Sequence, residues 1–194
     1  MVTVLFATGN DGKAKEVKNI YSKTKFDIKS LKDIGDYSDI VEDGLTLKEN
    51  ALIKARFIYE KYKVPVIADD TGLEVEQLDG APGVYSARYA GENCSYDDNN
   101  NKLITELADK DEPHNAKFVC YAVYFDGENE IVVKGEFPGR IINEKAGEYG
   151  FGYDPIFVPD GEKTTLAEMS LEQKNKISHR AKAFNNLKEK MIQL

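Results

Sequence analysis

Short apolar runs and helical stripes alternate along the first half of the chain. Val2–Thr8 is apolar and rich in β-branched residues, which predicts a buried strand. Asp11–Ser22 then carries its apolar residues at helical spacing. Thr46 and Glu49 form a capping box in front of a second helical stripe, which ends near Tyr62. This alternation is typical of an α/β protein.

The second half of the chain adds a hairpin and two further helices. Tyr96–Leu107 and the stretch from about His179 to Gln193 are predicted to be helical. Lys117–Asp126 and Glu130–Phe137 alternate apolar and polar residues on either side of the turn at 127–129, which predicts a β-hairpin. Because strands joined through helices are commonly parallel and hairpin strands are antiparallel, we expect a mixed sheet.

The composition fits a single domain over residues 1–194, with one lobe or two. Hydrophobic residues make up 41% of the chain, which is enough for a core. The net charge is −8 and no Lys/Arg-rich block occurs, which argues against a nucleic-acid-binding surface. No apolar run approaches the roughly 20 residues of a membrane span, and the start lacks the features of a secretory signal. We therefore expect a cytoplasmic protein with neither a nucleic-acid nor a membrane partner.

Two adjacent carboxylates follow an apolar stretch in the middle of the chain. Pro65–Ala68 is predicted to be a short strand, and Asp69 and Asp70 come directly after it, before Thr71. Open α/β sheets bind ligands at the carboxyl ends of their strands. Neighbouring acids repel each other unless a cation compensates, and Mg²⁺ binds through one or two carboxylates plus phosphate oxygens. A solvated acidic turn is the alternative interpretation.

A glycine-containing turn joins the first predicted strand to the first predicted helix. Its sequence is Thr8-Gly9-Asn10-Asp11-Gly12-Lys13. Backbone N–H groups at such a turn, the positive end of the helix dipole and a lysine together favour anion binding. The spacing differs from that of a Walker A loop, and an ordinary turn is the alternative.

Three more segments place polar or aromatic groups at defined positions. Glu49, Asn50 and Lys54 can share one helix face, although capping and a surface ion pair would explain them equally well. The loop GFGYDP at 150–155 favours either stacking on a flat ring or a turn with core aromatics. Ser178-His179-Arg180, with Lys174 four residues earlier, supplies donors for a phosphate or a purine carbonyl; a capped helix start with a solvated His-Arg pair is the alternative.

Taken together and in this order, the segments resemble one family closely. They are ATGNDGK at 7–13, EDGLTLKENALIKA at 42–55, ADDTGLEVEQLDGAPGVYSARYAG at 68–91, GFGYDPIF at 150–157 and ISHRAKA at 177–183. They resemble the inosine/xanthosine triphosphate pyrophosphatases, which act on non-canonical purine nucleotides. The resemblance implies a long, curved mixed sheet flanked by helices, two lobes with a central nucleotide cleft, and a homodimer.

The resemblance also assigns roles to residues by position. It implies Asp70 as the general base that activates water, with Asp69 and Lys54 as further catalytic residues, and Glu42 with Asp70 as the ligands of Mg²⁺. The residues that it implies for substrate binding are Thr8, Gly9, Asn10, Asp11, Gly12, Lys13, Thr71, Phe151, Gly152, Tyr153, Asp154, Lys174, His179 and Arg180.

The expected reaction is hydrolysis of ITP, dITP and XTP to the monophosphate and pyrophosphate. Selection should depend on the carbonyl at the six-position of the purine, because an amine there leaves protein donors unpaired. Three rival functions remain at this point. They are a pyrophosphatase for modified pyrimidine or other nucleotides, a nucleotide sensor without hydrolysis, and a phosphatase that releases orthophosphate.

Overall fold

The computed structural model describes the backbone of residues 1–194 and the side chains of all of them except Leu171, Asn175 and Lys176. Its strands and α-helices run in the order β1 (Val2–Phe6), α1 (Asp11–Tyr21), β2 (Phe26–Ser30), α2 (Leu47–Tyr62), β3 (Val66–Val75), α3 (Tyr96–Leu107), β4 (His114–Phe125), β5 (Glu130–Ile141), β6 (Phe157–Pro159), α4 (Leu171–Ile177) and α5 (His179–Ile192).

The strands form one six-stranded sheet in the order β2-β1-β3-β4-β5-β6. β1 pairs in parallel with β2 and with β3, whereas β5 pairs antiparallel with β6. The expected mixed α/β sheet is therefore confirmed. None of the helices in the described chain is long and apolar enough to cross a membrane.

The chain divides into two compact units. Unit 1 contains Met1–Asp70, Cys120–Gly135 and His179–Leu194, and unit 2 contains Thr71–Val119 and Glu136–Ser178. The boundaries fall within β3, β4 and β5, so each of these strands contributes residues to both units.

The core of unit 1 fixes the start of α5 against strand β5. Phe184 of α5 packs edge-on against Phe6 of β1, with 5.5 Å between the ring centroids. Gly135 of β5 has no room for a side chain, because an added Cβ would lie 2.2 Å from the carbonyl oxygen of His179. This close approach of two backbones sets the position of His179 and Arg180 in unit 1.

The core of unit 2 contains aromatic rings and includes Tyr153 from the loop at 150–155. Phe118 of β4 and Phe157 of β6 lie 4.7 Å apart between ring centroids. Leu103 and Leu107, from the apolar face of α3, belong to the same cluster, as does Tyr153. The loop that carries Tyr153 is thereby tied to the core at one of its aromatic residues.

One predicted boundary was wrong and one helix was missed. The strand expected over Pro65–Ala68 and the extended stretch expected over Gly72–Val75 form one ten-residue strand, so Asp69 and Asp70 lie inside it and not after its end. Helix α4 was not predicted, because its seven residues are too few to show a clear apolar period. The predicted helix at 96–107 is confirmed with the same bounds.

Candidate active site

The adjacent carboxylates of β3 face different surroundings. Successive side chains of a strand point to opposite sides of the sheet. The Asp69 side chain is completely buried, whereas the Asp70 side chain is 14% exposed to solvent. Alternation therefore separates the two acids, and they form ion pairs with different side chains. The solvated acidic turn that the sequence also allowed is wrong.

Asp69 belongs to a buried cluster of ion pairs in unit 1. Its Oδ2 lies 3.1 Å from Nζ of Lys13 and 3.3 Å from Nε of Arg180. Arg180 also pairs with Glu16 of α1, and its side chain is only 1% exposed. Burial by itself would raise the pKa of Asp69, but the positive charges of Lys13 and Arg180 outweigh it and hold that pKa well below its ordinary value. Asp69 is thus a fixed negative charge.

The turn before α1 positions Lys13 for this contact. Asn10 is the N-cap of α1, and its Oδ1 accepts a hydrogen bond of 3.1 Å from the Lys13 backbone N–H. The hydroxyl of Thr8 accepts from the Asn10 backbone N–H at 3.2 Å. An added Cβ on Gly9 would meet no atom within 4 Å, so space is open above this residue. The helix dipole and the remaining backbone N–H groups at this turn favour an anion.

The remaining residues of this turn differ in exposure. Asp11 forms an exposed ion pair with Lys32, at 2.7 Å between Oδ2 and Nζ, and Gly12 is half-buried in the first turn of α1. Asp11 therefore points to a surface partner, whereas Lys13 points to Asp69.

Asp70 lies beside a second cluster in unit 1, built by α2 and the loop before it. Nζ of Lys54 lies 2.6 Å from Oε2 of Glu42 and 3.6 Å from Oδ1 of Asp70. The side-chain amide of Asn50 donates to Asp70 Oδ2 at 3.3 Å. Burial would lower the pKa of Lys54, but the negative charges of Asp70, Glu42 and Asp69 raise it above its ordinary value. Lys54 is therefore a permanent cation at neutral pH.

The start of α2 is fixed by a capping box and by a hydrogen bond from the loop before it. Thr46 and Glu49 form the predicted capping box, so capping explains Glu49. Asn50 accepts a hydrogen bond of 2.9 Å from the Gly44 backbone N–H, and a Cβ on Gly44 would lie 2.6 Å from the same Asn50 oxygen. The alternative of a surface ion pair is wrong for Lys54, which is buried.

The carboxylates of this cluster match the donor chemistry of Mg²⁺. Glu42 and Asp70 both lie within 3.6 Å of one ammonium group, so two hard oxygen donors already converge on a single positive charge. Mg²⁺ is commonly bound by one or two carboxylates together with substrate phosphates and water. No set of three His, Cys, Asp or Glu residues among the described side chains is arranged to hold a metal ion. These residues therefore fit a metal ion whose coordination is completed by substrate phosphates and water.

In unit 2, Asp154 holds the aromatic loop together. Its Oδ2 accepts a hydrogen bond of 2.8 Å from the Phe151 backbone N–H and lies 2.7 Å from Nζ of Lys174. Lys174 is also 4.5 Å from the centroid of the Phe151 ring. Gly150, at φ +80°, has no space for a Cβ, which would lie 2.2 Å from Asp154 Oδ2. Asp154, Lys174 and Phe151 are thus in mutual contact.

Two further contacts anchor the loop to the rest of unit 2. The Tyr153 hydroxyl donates to the backbone carbonyl of Ser86 at 2.9 Å, and burial raises the pKa of Tyr153 so that it stays a neutral donor. Asn100 of α3 donates from its side-chain amide to the backbone carbonyl of Gly152 at 3.1 Å. Tyr153 is a buried core residue, which agrees with the alternative of a turn with core aromatics. Phe151, in contrast, is only partly buried.

The structure brings the expected residues together in three groups. Lys13, Asp69 and Arg180 form one, Glu42, Lys54 and Asp70 the second, and Phe151, Asp154 and Lys174 the third. Thr71 is half-buried in β3, and His179 is the buried first residue of α5, so the solvated His-Arg pair is wrong. The expected catalytic, metal-binding and substrate-binding roles of all these residues stay predictions.

Sequence reasoning missed two residues that the structure places in these groups. Glu16 and Asn100 are both buried and contact Arg180 and the Gly152 carbonyl, respectively. Asn50, which the sequence placed on one helix face with Glu49 and Lys54 but gave no role in the site, contacts Asp70. Glu16 and Asn100 are polar residues on amphipathic helices, the first next to Val17 and the second one turn before Leu103. A polar residue on an apolar stripe was the available signal.

The fold and these groups define a mixed α/β protein with buried carboxylate–lysine clusters and an aromatic loop. The chain belongs to the Ham1 family, whose model matches residues 4–190. The resemblance seen in the sequence motifs is therefore confirmed.

Individual relatives match over nearly their full length. The dITP/XTP pyrophosphatase of Caldanaerobacter subterraneus subsp. tengcongensis is 49% identical, over 99% of this chain and 97% of that protein. The dITP/XTP pyrophosphatase of Bacillus subtilis is 46% identical, over 96% of each. Among solved structures, a HAM1 protein from Coxiella burnetii matches with a TM-score of 0.90 at 33% identity, covering all of both chains.

Proposed function

We propose that this protein hydrolyses the non-canonical purine nucleotides dITP, ITP and XTP to the monophosphate and pyrophosphate, with Mg²⁺ as cofactor. Its similarity to proteins named dITP/XTP pyrophosphatase extends over nearly the whole chain, which supports this substrate class. The observation that carries the reaction type is the adjacent pair Asp69, which is ion-paired with Lys13 and Arg180, and Asp70, which is ion-paired with Lys54. Hydrolysis of this kind clears damaged purine nucleotides from the pool.

Asp70 is the general base in this proposal. Its side chain is partly exposed, so a water molecule can reach it, and Asn50 and Lys54 orient its two oxygens. It takes a proton from the water that attacks the α-phosphorus, and such a base contributes about 10²–10⁴-fold to the rate. Asp69 stays ionised and holds Lys13 in place.

Lys13 and Lys54 stabilise negative charge on the phosphate oxygens as pyrophosphate leaves. In phosphoryl transfer, positioning and electrostatic stabilisation supply most of the catalysis. Glu42 and Asp70 would hold Mg²⁺, which supplies further positive charge to the phosphate oxygens when bound. Lys54 acts as a cation and not as a base, because its carboxylate neighbours keep it protonated.

The aromatic loop selects the base. Phe151 stacks on the purine, and Lys174, His179 and Arg180 donate to the carbonyl at the six-position. ATP carries an amine there, and an unpaired donor can discriminate by about 10⁴–10⁵-fold in a site built for hydrogen bonding. GTP shares the carbonyl, so its rejection depends on the shape of the pocket around the two-amino group. The discrimination against ATP is therefore the firmer expectation.

A substrate panel tests the proposal directly. The protein is incubated with ITP, XTP, dITP, GTP, ATP and dUTP in the presence of Mg²⁺, and monophosphate, pyrophosphate and orthophosphate are measured. We expect pyrophosphate from the first three nucleotides and little from ATP. Preference for dUTP would support the pyrimidine alternative, orthophosphate a phosphatase, and binding without any product a nucleotide sensor. A chelator should abolish the activity, and added Mg²⁺ should restore it.

We also infer a homodimer from the family resemblance, and we propose a cytoplasmic location. Sedimentation of the purified protein and localisation of the tagged chain are the measurements that test these two predictions.

A further inference from the structure

Three consecutive asparagines at the start of α3 differ sharply in their surroundings. Asn99 is buried, accepts a hydrogen bond from the Ala90 backbone N–H at 2.7 Å and donates to the Ala87 carbonyl at 3.2 Å. Asn101 is exposed and pairs with Asp97 on the helix surface. Asn100 is buried and donates to the Gly152 carbonyl. One helix turn thus contains a loop anchor, a surface residue and a contact to the aromatic loop.

The hydrogen bond from Asn100 reaches the aromatic loop at Gly152, between the residues that Asp154 and Ser86 hold in place. Gly152 has a φ of +65°, in the left-handed region, and lies directly between Phe151 and Tyr153. Asp154 holds the Phe151 side of the loop, and the Tyr153 hydroxyl holds the other side through Ser86. The Asn100 amide is the contact that fixes the carbonyl of the residue in the middle.

Asn100 is a poor residue for stability at this position. Its side chain is 2% exposed, and its Oδ1 has no hydrogen-bond partner among the described residues. A buried polar atom without a partner destabilises the folded state, and an apolar group of similar shape avoids that loss. Leu103 and Leu107 lie on the same buried face of α3, so a leucine at this position would extend an existing apolar stripe.

We propose that Asn100 is a positioning residue that sets the affinity for the purine base by fixing the Gly152 carbonyl. This inference rests on the proposed function, in which the loop at 150–154 contacts the base. Asn100 acts through the loop backbone and touches neither the phosphates nor Asp70 in this account. Its loss should therefore raise KM and leave kcat nearly unchanged.

The test variant is Asn100→Leu, which keeps the size of the side chain and removes its donor. We expect KM for dITP to rise about five-fold, the factor that corresponds to one neutral hydrogen bond, with kcat within about two-fold of wild type. The Tm should stay close to that of wild type, because removal of the unpartnered Oδ1 offsets the lost hydrogen bond to the Gly152 carbonyl. Asn101→Leu, one residue away on the exposed face, is the matched control and should leave KM unchanged. Asn99→Leu should lower Tm without a selective change in KM.

A second measurement does not depend on catalysis. Hydrogen–deuterium exchange of the ligand-free protein should show faster exchange in a peptide covering 148–155 for Asn100→Leu, and no change for Asn101→Leu. A lower Tm with kcat and KM otherwise unaltered would show a merely structural residue and overturn the inference, as would unchanged exchange at 148–155. If wild type hydrolyses none of the purine triphosphates while the exchange difference is present, the proposed function fails and the positioning contact stands.

Discussion

Asp69 and Asp70 are identical in chemistry and adjacent in sequence, yet their surroundings differ in almost every respect. Asp69 is completely buried and lies between a lysine and an arginine. Asp70 is partly exposed, lies 3.6 Å from Nζ of Lys54 and accepts a hydrogen bond from the Asn50 side-chain amide. The pleat of the strand directs neighbouring side chains to opposite sides, which lets one dipeptide serve two environments.

The difference teaches how a site can combine a rigid charge with a reactive one. A carboxylate next to two buried cations stays ionised and holds those cations in position. A carboxylate that water reaches is free to accept a proton from that water. The comparison predicts that loss of Asp69 damages the fold first, while loss of Asp70 damages the chemistry alone.

The largest effect should follow from Asp70→Asn. This change keeps the shape of the side chain but removes the base, so we expect kcat to fall by about 10²–10⁴-fold. Pyrophosphate release from dITP is the readout, and the Tm of the variant should stay close to that of wild type. Near-wild-type turnover in this variant would rule out Asp70 as the base.

Asp69→Asn should have the opposite profile. It leaves Lys13 and Arg180 without their shared carboxylate in a buried cluster, and breaking a buried ion pair destabilises by about 3–5 kcal/mol. Chemical denaturation measures this loss. Asp27→Asn is the matched control, because its pair with Lys29 is exposed and should contribute less than about 1 kcal/mol. Equal stability of Asp69→Asn and Asp27→Asn would contradict the account of the Asp69 cluster.

A smaller loss of rate should follow from Lys54→Met. The variant keeps a side chain of similar length but removes the cation beside Glu42 and Asp70. Because removal of one stabilising donor lowers kcat by about 10²-fold, we expect a loss of that size. Lys61→Met on the same helix is the control, since Lys61 pairs with Asp36 away from this cluster. If both variants keep full activity, Lys54 has no part in catalysis.

Sequence patterns predicted the regular elements better than the polar clusters. The capping box at Thr46 and the helix at 96–107 follow from local spacing and are confirmed. The extent of β3 could not be predicted, because two acids inside a strand are stable only where Lys13, Arg180 and Lys54 neutralise them from distant parts of the chain.

The candidate site shows the same limit. Glu16 was not selected because its role depends on a partner 164 residues away. Asn50 was placed on a polar helix face, but its contact to Asp70, 20 residues away, could not be predicted from that spacing. Lys54 could equally have been a surface ion pair until the structure showed its burial. Spacing along a helix predicts which residues share a face, but the charge that meets that face comes from the tertiary fold.

The central claim is that water held by Asp70 attacks the α-phosphorus, and isotope labelling tests it most directly. Hydrolysis of dITP in H₂¹⁸O, followed by mass spectrometry of both products, locates the oxygen that enters. The account predicts ¹⁸O in the monophosphate and none in the pyrophosphate. Label in the pyrophosphate, or in released orthophosphate, would contradict it.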